Sequence, residues 1–363
     1  MSELLSNVIG MIRPLDEEAM AQARARQDQL TKPQGSLGRL EELSVQLAGI
    51  QGRSGPQIRH KAIITMASDH GVVAEGVSLY PQDVTAQMID NFLSGGAGIN
   101  VIAHQIGARV IVVDMGVAAE LEPNARLLSH KVAPGTWNIC LGPAMTREQA
   151  VKAIETGIEI VAAEVARGLD IVATGDMGIG NTTASSAICA VMTVRPVAEV
   201  TGRGTGIDDS QLARKVAVIE KALSVNRPDP AQPLDVLARV GGFEIGGLAG
   251  VMLAAAAHRV PVVMDGFISG AAALIGVGLA PGLRDYLIAG HVSAEPGHRL
   301  LLDHLRLKPL LDLGMRLGEG TGAALGMYLC EAAALLLEEM ATFAEAGVSE
   351  KGEGSDSLSS EMN

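Results

Sequence analysis

A chain of 363 residues that is 48% hydrophobic, 19% charged and 2% aromatic can bury a large core, and it packs that core with Ala, Val, Ile, Leu and Met in place of rings. Its net charge of −13 argues against a nucleic-acid surface, which needs clustered Lys and Arg, so any phosphate has to be held locally. The 43 glycines exceed what turns alone require, and three widely spaced cysteines, Cys140, Cys189 and Cys330, read as reduced core thiols of a cytoplasmic protein, not as a disulfide frame or a zinc site.

The opening MSELLSNVIGMIRPLDEEAM carries acids and no uninterrupted apolar run, which describes neither a signal peptide nor an anchor. Helical spacing of apolar positions runs over about 15–51, is interrupted by KPQGS at 32–36, and resumes as a second helix over 37–50. Strands begin with KAIITMA at 61–67 and continue with RVIVVD at 109–114, DIVAT at 170–174, VPVVMD at 260–265 and a fifth run at 286–289. These runs are apolar and β-branched, end in polar or glycine-containing sequence, and are separated by helical patterns. That alternation indicates an α/β protein whose parallel sheet is covered by helices on both faces. Ligands of such sheets bind at the carboxyl ends of the strands, so Ser68, Asp114, Gly175, Asp265 and His291 are expected on one edge. The longest apolar stretch, 245–257, is too short to cross a bilayer, and no membrane span is expected. PDPAQP at 228–233 is a linker-like turn, and the tail from 347 lacks the apolar content to order itself.

Several segments can carry chemistry. GDMGIGNTTASS at 175–186 follows a strand and opens a helix, where inward-turned amides and the helix N-terminus attract an anion. It lacks the Lys-Ser/Thr ending of a P-loop and the GxGxxG spacing of a dinucleotide loop, so it reads as a monophosphate cradle or as a glycine-rich packing turn. TGRGTGIDD at 201–209 is a second glycine loop, and the helix after it carries Arg214 and Lys215, which supply an opposing cation or simply a solvated face. Tyr80 and Gln87 are seven apart, on or beside one helix face, and can line a pocket together. SGGAG at 94–98 starts a further helix with free amides. Asp69 and His70 lack a third ligand at sensible spacing, so they make no metal site, and His70 and His291 read as hydrogen-bonded structural groups. No Gly-x-Ser-x-Gly elbow or Cys–His nucleophile pattern appears, which disfavours covalent hydrolase chemistry. Finally LGMRLGEGTGAALG at 313–326 holds Glu319 between Gly318 and Gly320. That carboxylate is either a general base that a flat ligand can approach closely, or a helix-start acid favoured by the dipole.

Taken in order, KPQGSLGRLE at 32–41, DHGV at 69–72, EGVSLYPQDVT at 75–85, GDMGIGNTT at 175–183, GRGTG at 202–206, DGFISGAAAL at 265–274, HVSAEPGH at 291–298 and RLGEGTGAAL at 316–325 resemble nicotinate-nucleotide:dimethylbenzimidazole phosphoribosyltransferases. The resemblance runs from about residue 30 to 336. It implies transfer of a 5-phosphoribosyl group from nicotinate mononucleotide to 5,6-dimethylbenzimidazole, giving α-ribazole 5′-phosphate and nicotinate for the lower ligand of cobalamin. It also implies a Rossmann-like sheet, a homodimer, and a smaller helical domain drawn from both chain ends. The expected divisions are 1–58 for the N-terminal helical part of that small domain, 59–310 for the α/β domain, 311–346 for the Glu loop and C-terminal helix, and 347–363 for a disordered tail.

By the same resemblance Glu319 is the catalytic base. Gly175, Asp176, Gly178, Gly180, Asn181, Thr182 and Thr183 serve the phosphate and ribose, with Gly204 and Lys215 as phosphate partners from the second loop. Tyr80 and Gln87 fall in the base pocket, and Asp176 is taken as pocket-lining. No metal and no cofactor are called for; the partners are the small-molecule substrates, with neither nucleic acid nor membrane. Two other readings stay open on the residues: a phosphoribosyltransferase for another azole or purine, and a nucleotide-binding sensor that needs the phosphate loops but no base.

Overall fold

The computed structural model describes residues 2–349. Its sheet has six strands, β1 (Lys61–Ser68), β2 (Arg109–Gly116), β3 (Leu127–Ser129), β4 (Ile171–Met177), β5 (Val262–Met264) and β6 (Leu287–Ala289). All neighbours pair in parallel, in the order β3-β2-β1-β4-β5-β6. The order reverses between β1 and β4, which opens a crevice beyond their carboxyl ends, as in Rossmann-like sheets. Helices cover both faces, and β1 is buried along its whole length, which is why its sequence reads as a continuous apolar run instead of an alternating one.

The sheet departs most from expectation at the end of β4 and in an added strand. β4 was expected to end at Thr174, yet its pairing with β1 continues through Gly175↔Thr65, Asp176↔Met66 and Met177↔Ala67. Gly175 and Asp176 are therefore strand residues, and the loop proper begins at Gly178. β3 escaped the sequence reading because it is three residues long and mostly uncovered.

The helix Phe243–Ala257 is buried at every position up to Ala256 and lies against Arg147–Val165. Glycines let the two backbones meet: a Cβ on Gly157 would lie 1.9 Å from the Gly247 carbonyl oxygen, and one on Gly250 1.9 Å from that of Ile154. The helix Glu3–Met11 buries Leu5 and Val8 and packs on the same pair.

The chain divides into two compact units. The larger takes Met1–Leu15 and Ile58–Leu329, and the smaller takes Asp16–Gln57 with the described residues from Cys330. Residues 1–15 and 311–329, grouped with the small domain in the sequence reading, thus lie in the larger unit. Apolar side chains decide the first case, since Leu5 and Val8 are covered by sheet-unit helices. Within the smaller unit, Ala23, Val45, Ala48 and Leu337 form a core. The break at 32–36 is tied there by Glu41, which takes the Lys32 ammonium at 2.8 Å and the Leu37 amide at 3.0 Å.

Among the described residues one helix, Thr321–Glu339, is long and apolar enough by length and composition to cross a membrane, and 56% of its apolar window is buried, as in the core helix of a globular protein. Gly347 closes the short helix Phe343–Ala346 with φ of 62°. Residues 350–363 lie outside the described residues, and with them most of the tail expected to be disordered.

Candidate active site

A cavity of ≈ 550 Å³ opens at the carboxyl edge of the sheet. That size suits a small-molecule site, and its place at the strand-order reversal is where α/β sheets bind ligands. Its wall comes from the end of β4 and the following loop, the segments after β5 and β6, the second glycine loop, the 77–88 segment and the Glu319 loop.

Glu319 lies on this wall and is buried. Its backbone has φ of 65°, between Gly318 at 84° and Gly320 at 99°, a left-handed run that glycine makes available on both sides. Thr65 Oγ1 donates to the Glu319 carbonyl at 3.0 Å, and the Glu319 amide donates to the Asp176 carbonyl at 3.2 Å. Its Oε2 accepts the Ile99 amide at 3.1 Å. Of the amides expected to be free at 94–98, those of Gly95, Gly96 and Ala97 are taken by Phe92, Asn91 and Asn100, and only the Gly98 amide joins that of Ile99 at this carboxylate, which sits at the start of the helix Gly98–Gln105. Burial pushes the Glu319 carboxyl above its ordinary range, with the charge of Asp265 adding to the rise and the Ile99 amide opposing it. A raised carboxylate is a better proton acceptor.

Asp176 also lines the cavity. Burial drives its carboxyl well above the usual range, with Asp265 and Glu244 adding repulsion, while Asn181 Nδ2 donates to Oδ2 at 2.9 Å. Beyond it Gly178, Ile179, Gly180, Asn181 and Thr182 form the wall at the start of the helix Asn181–Thr193. Gly180 has φ of 95°, and a Cβ there would lie 2.8 Å from Val73 Cγ2, so the turn needs glycine on both counts. Amides of a first helical turn lack intrahelical partners and suit a phosphate.

Three residues assigned to the phosphate group, Gly175, Thr183 and Lys215, do not reach the wall. Thr183 is buried behind it. Gly175 lies inside β4, and its missing side chain serves another purpose: a Cβ would sit 2.2 Å from the Glu319 carbonyl oxygen. That glycine makes room for the Glu319 loop.

Lys215 is buried, not a solvated helix face. Its ammonium donates to Thr182 Oγ1 at 2.8 Å and to the Gly202 carbonyl at 3.4 Å, placing a cation directly behind the cradle. Burial pulls its pKa down to about 8, and Glu295 opposes the fall. Gly204 lines the cavity, but its amide donates to Glu295 Oε1 at 2.9 Å, so this donor is engaged as the site stands. Arg316 donates to the Gly204 carbonyl at 2.9 Å and so ties the second glycine loop to the Glu319 loop.

Tyr80 lines the cavity, half exposed at its mouth, whereas Gln87 is exposed and is absent from the wall. The helix Val84–Ser94 presents Val84 and Met88 instead, an i, i+4 pair one position off the expected face. Sequence reasoning also passed over Phe267, Ser293, Glu295 and Arg316 on the wall. The signal was available for the first three, since they follow β5 and β6 onto the expected edge. His70 is a structural group, with Nε2 2.8 Å from Glu244 Oε1 and both side chains buried. Cys140, Cys189 and Cys330 are free and buried. Among the described residues no three or more His, Cys, Asp or Glu side chains gather as a metal site.

Sheet order, crevice and glycine cradle define a Rossmann-like α/β protein with a small-molecule site at its switch point. A family profile described as phosphoribosyltransferase matches residues 12–348. The chain is 64% identical over 348 residues to the nicotinate-nucleotide–dimethylbenzimidazole phosphoribosyltransferase of Desulforudis audaxviator, covering 96% of this chain and 99% of that one. It is 64% identical over 350 residues to the protein of the same name from Roseiflexus sp., with 96% and 99% covered. The crystal structure of CobT from Thermus thermophilus matches with a TM-score of 0.89 at 51% identity, covering 92% of this chain and 100% of that one. The chain belongs to the nicotinate-nucleotide–dimethylbenzimidazole phosphoribosyltransferase family.

Proposed function

We propose that this protein moves the 5-phosphoribosyl group of nicotinate mononucleotide onto 5,6-dimethylbenzimidazole with inversion, giving α-ribazole 5′-phosphate and nicotinate in assembly of the cobalamin nucleotide loop, with Glu319 as the base. The observation that carries the reading is one cavity holding both a buried carboxylate of raised basicity and a glycine cradle at a helix start.

The chemistry asks for little else. Nicotinate is attached to C1′ as a pyridinium, so the electron pair of the breaking C1′–N bond neutralises the ring and the leaving group needs no proton. The lone pair on the unprotonated nitrogen of the benzimidazole forms the new C1′–N bond from the opposite face, turning a β linkage into an α one. Positive charge then develops on the incoming ring, and its N–H proton passes to a carboxylate oxygen of Glu319. The cradle at Gly178–Thr182, with the Lys215 ammonium behind it, holds the phosphate as a handle and spends its binding energy on orientation. Tyr80, Val84 and Met88 give the flat ring an apolar wall, and Asp176, its carboxyl driven well above the usual range by burial, lines the pocket beside them.

Glu319→Gln preserves shape and removes the proton acceptor. It is expected to bind nicotinate mononucleotide normally while kcat falls by about a hundredfold or more. Near-normal turnover would sink the assignment of Glu319 and leave a role in loop anchoring, through Ile99, as its function. A sensor would bind the mononucleotide and release no nicotinate with either residue present.

The family resemblance and the cysteine usage further support a cytoplasmic homodimer. Exposed Leu79, Tyr80 and Leu317 leave an apolar rim for a second copy to cover. Equilibrium sedimentation at the mass of two chains, with the enzyme recovered in the soluble cell fraction, is the expected result; a monomer or a membrane-bound pool would refute it.

A further inference from the structure

Asp265 and His291 stand beside the site and take no step in the chemistry above. Asp265 follows β5, His291 follows β6, and both are buried. Asp265 Oδ2 accepts the Gly320 amide at 3.2 Å and Oδ1 accepts the Ala323 amide at 2.9 Å. One carboxylate thus holds the residue after Glu319 and the first turn of the helix Thr321–Glu339, whose leading amides have no partners within the helix. His291 Nε2 lies 3.5 Å from Asp265 Oδ1. Its ring fits because two neighbours are glycines: a Cβ on Gly322 would lie 1.9 Å from His291 Cδ2, and one on Gly266 3.4 Å from Nε2.

Anchorage of this kind is what the Glu319 loop requires. A non-glycine residue in the left-handed region is strained and persists only where its surroundings over-determine it. Thr65 grips the Glu319 carbonyl from β1, and Asp265 grips the next amide from β5.

We propose that Asp265, backed by His291, is a positioning residue for the transfer: through the Gly320 and Ala323 amides it fixes the Glu319 loop so that the carboxylate faces the incoming base, and it sets a second negative charge beside it. The inference rests on Glu319 being the base. The charged or titratable groups around Glu319 are Asp176 at the end of β4, Asp265 after β5, Arg316 on its own loop, and His291 and His298 behind Asp265, with ring centroids 6.1 Å apart. From the helix Gly98–Gln105 the groups that meet the carboxylate are the neutral amides of Ile99 and Gly98. After burial, Asp265 is the group that adds most to the rise at Glu319.

Asp265→Asn keeps the volume and one acceptor but removes the charge, and Glu319→Gln is assayed in parallel. The expected result for Asp265→Asn is a kcat lower by about tenfold or more with the KM for nicotinate mononucleotide changed by less than about twofold, and an acid limb of the kcat profile moved to lower pH. A merely structural contact would leave that limb where it was, and an unmoved limb or an unchanged kcat overturns the inference. Should Asp265→Asn fail to fold, His291→Leu takes its place. It leaves both amide bonds to Asp265, removes the donor facing Oδ1, and is expected to move the limb to higher pH as Glu319 feels more of the Asp265 charge; no movement, or movement downward, overturns the inference. Loss of turnover in Glu319→Gln with full turnover in Asp265→Asn defeats the positioning role alone. Normal turnover in Glu319→Gln defeats the base assignment and this inference with it.

Discussion

Lys215 shows how much one buried side chain decides. Its ammonium is held behind Thr182 with a pKa lowered to about 8 by burial, so it is charged at neutral pH and loses its proton far sooner than an exposed lysine. The sign follows from the direction of the shift. A folded-state value below the unfolded one means that burying the charge costs stability below about pH 8 and that this cost is relieved as pH rises through that value. The proposed function runs the other way, because a phosphate held in the cradle needs the cation. In the pH profile of kcat/KM for the mononucleotide, the expected feature is a decline above about pH 8 that Lys215→Met flattens while raising KM by about tenfold. An alkaline decline unchanged in Lys215→Met would assign it to another group.

Such residues differ in how far they could be read from the chain. Glu319 was visible as a carboxylate in a glycine frame ahead of an apolar helix, and GDMGIGNTT as amides turned inward before a helix. Gly175 was visible too but for the wrong reason, because the atom it makes room for, the Glu319 carbonyl, belongs to a segment remote in sequence. The same holds for Asp265, whose partners are amides of the Glu319 loop.

Elements tell a parallel story. The strongly apolar strands were legible because a sheet covered on both faces leaves no alternation to misread. The carboxyl end of β4 was not, since Gly and Asp are poor strand formers and only pairing with β1 keeps them extended. Gln87 missed the cavity for a reason of phase: the helix Val84–Ser94 turns Val84 and Met88 inward, and a seven-residue spacing from Tyr80 crosses the helix start. Part of the glycine excess over turns lies within helices, where Gly157 and Gly250 serve close helix packing. Gly250→Ala, far from the chemistry, is expected to lower stability by about 1–3 kcal/mol in urea unfolding with kcat unchanged. Stability equal to the parent would mean that the two helices part at little cost.

For the molecule as a whole, sheet order does most to make a site. Reversal between β1 and β4 gathers the cradle, the Glu319 loop and the segments after β5 and β6 around one cavity of ≈ 550 Å³, although they are scattered along the chain. A protein of net charge −13 can hold a phosphate there because the cation and the amides are local and do not depend on the surface as a whole. The proposed division of labour is then simple: phosphate anchored on the β4 loop, leaving group departing without a proton, and one carboxylate for the incoming ring. Incubating the purified enzyme with nicotinate mononucleotide and 5,6-dimethylbenzimidazole, and resolving the product by mass and by the anomeric proton coupling in NMR, tests that division most directly. The expected product is the α-linked ribazole 5′-phosphate, formed in step with one nicotinate per transfer. A β-linked product, or ribose 5-phosphate released by water in place of the base, would contradict it.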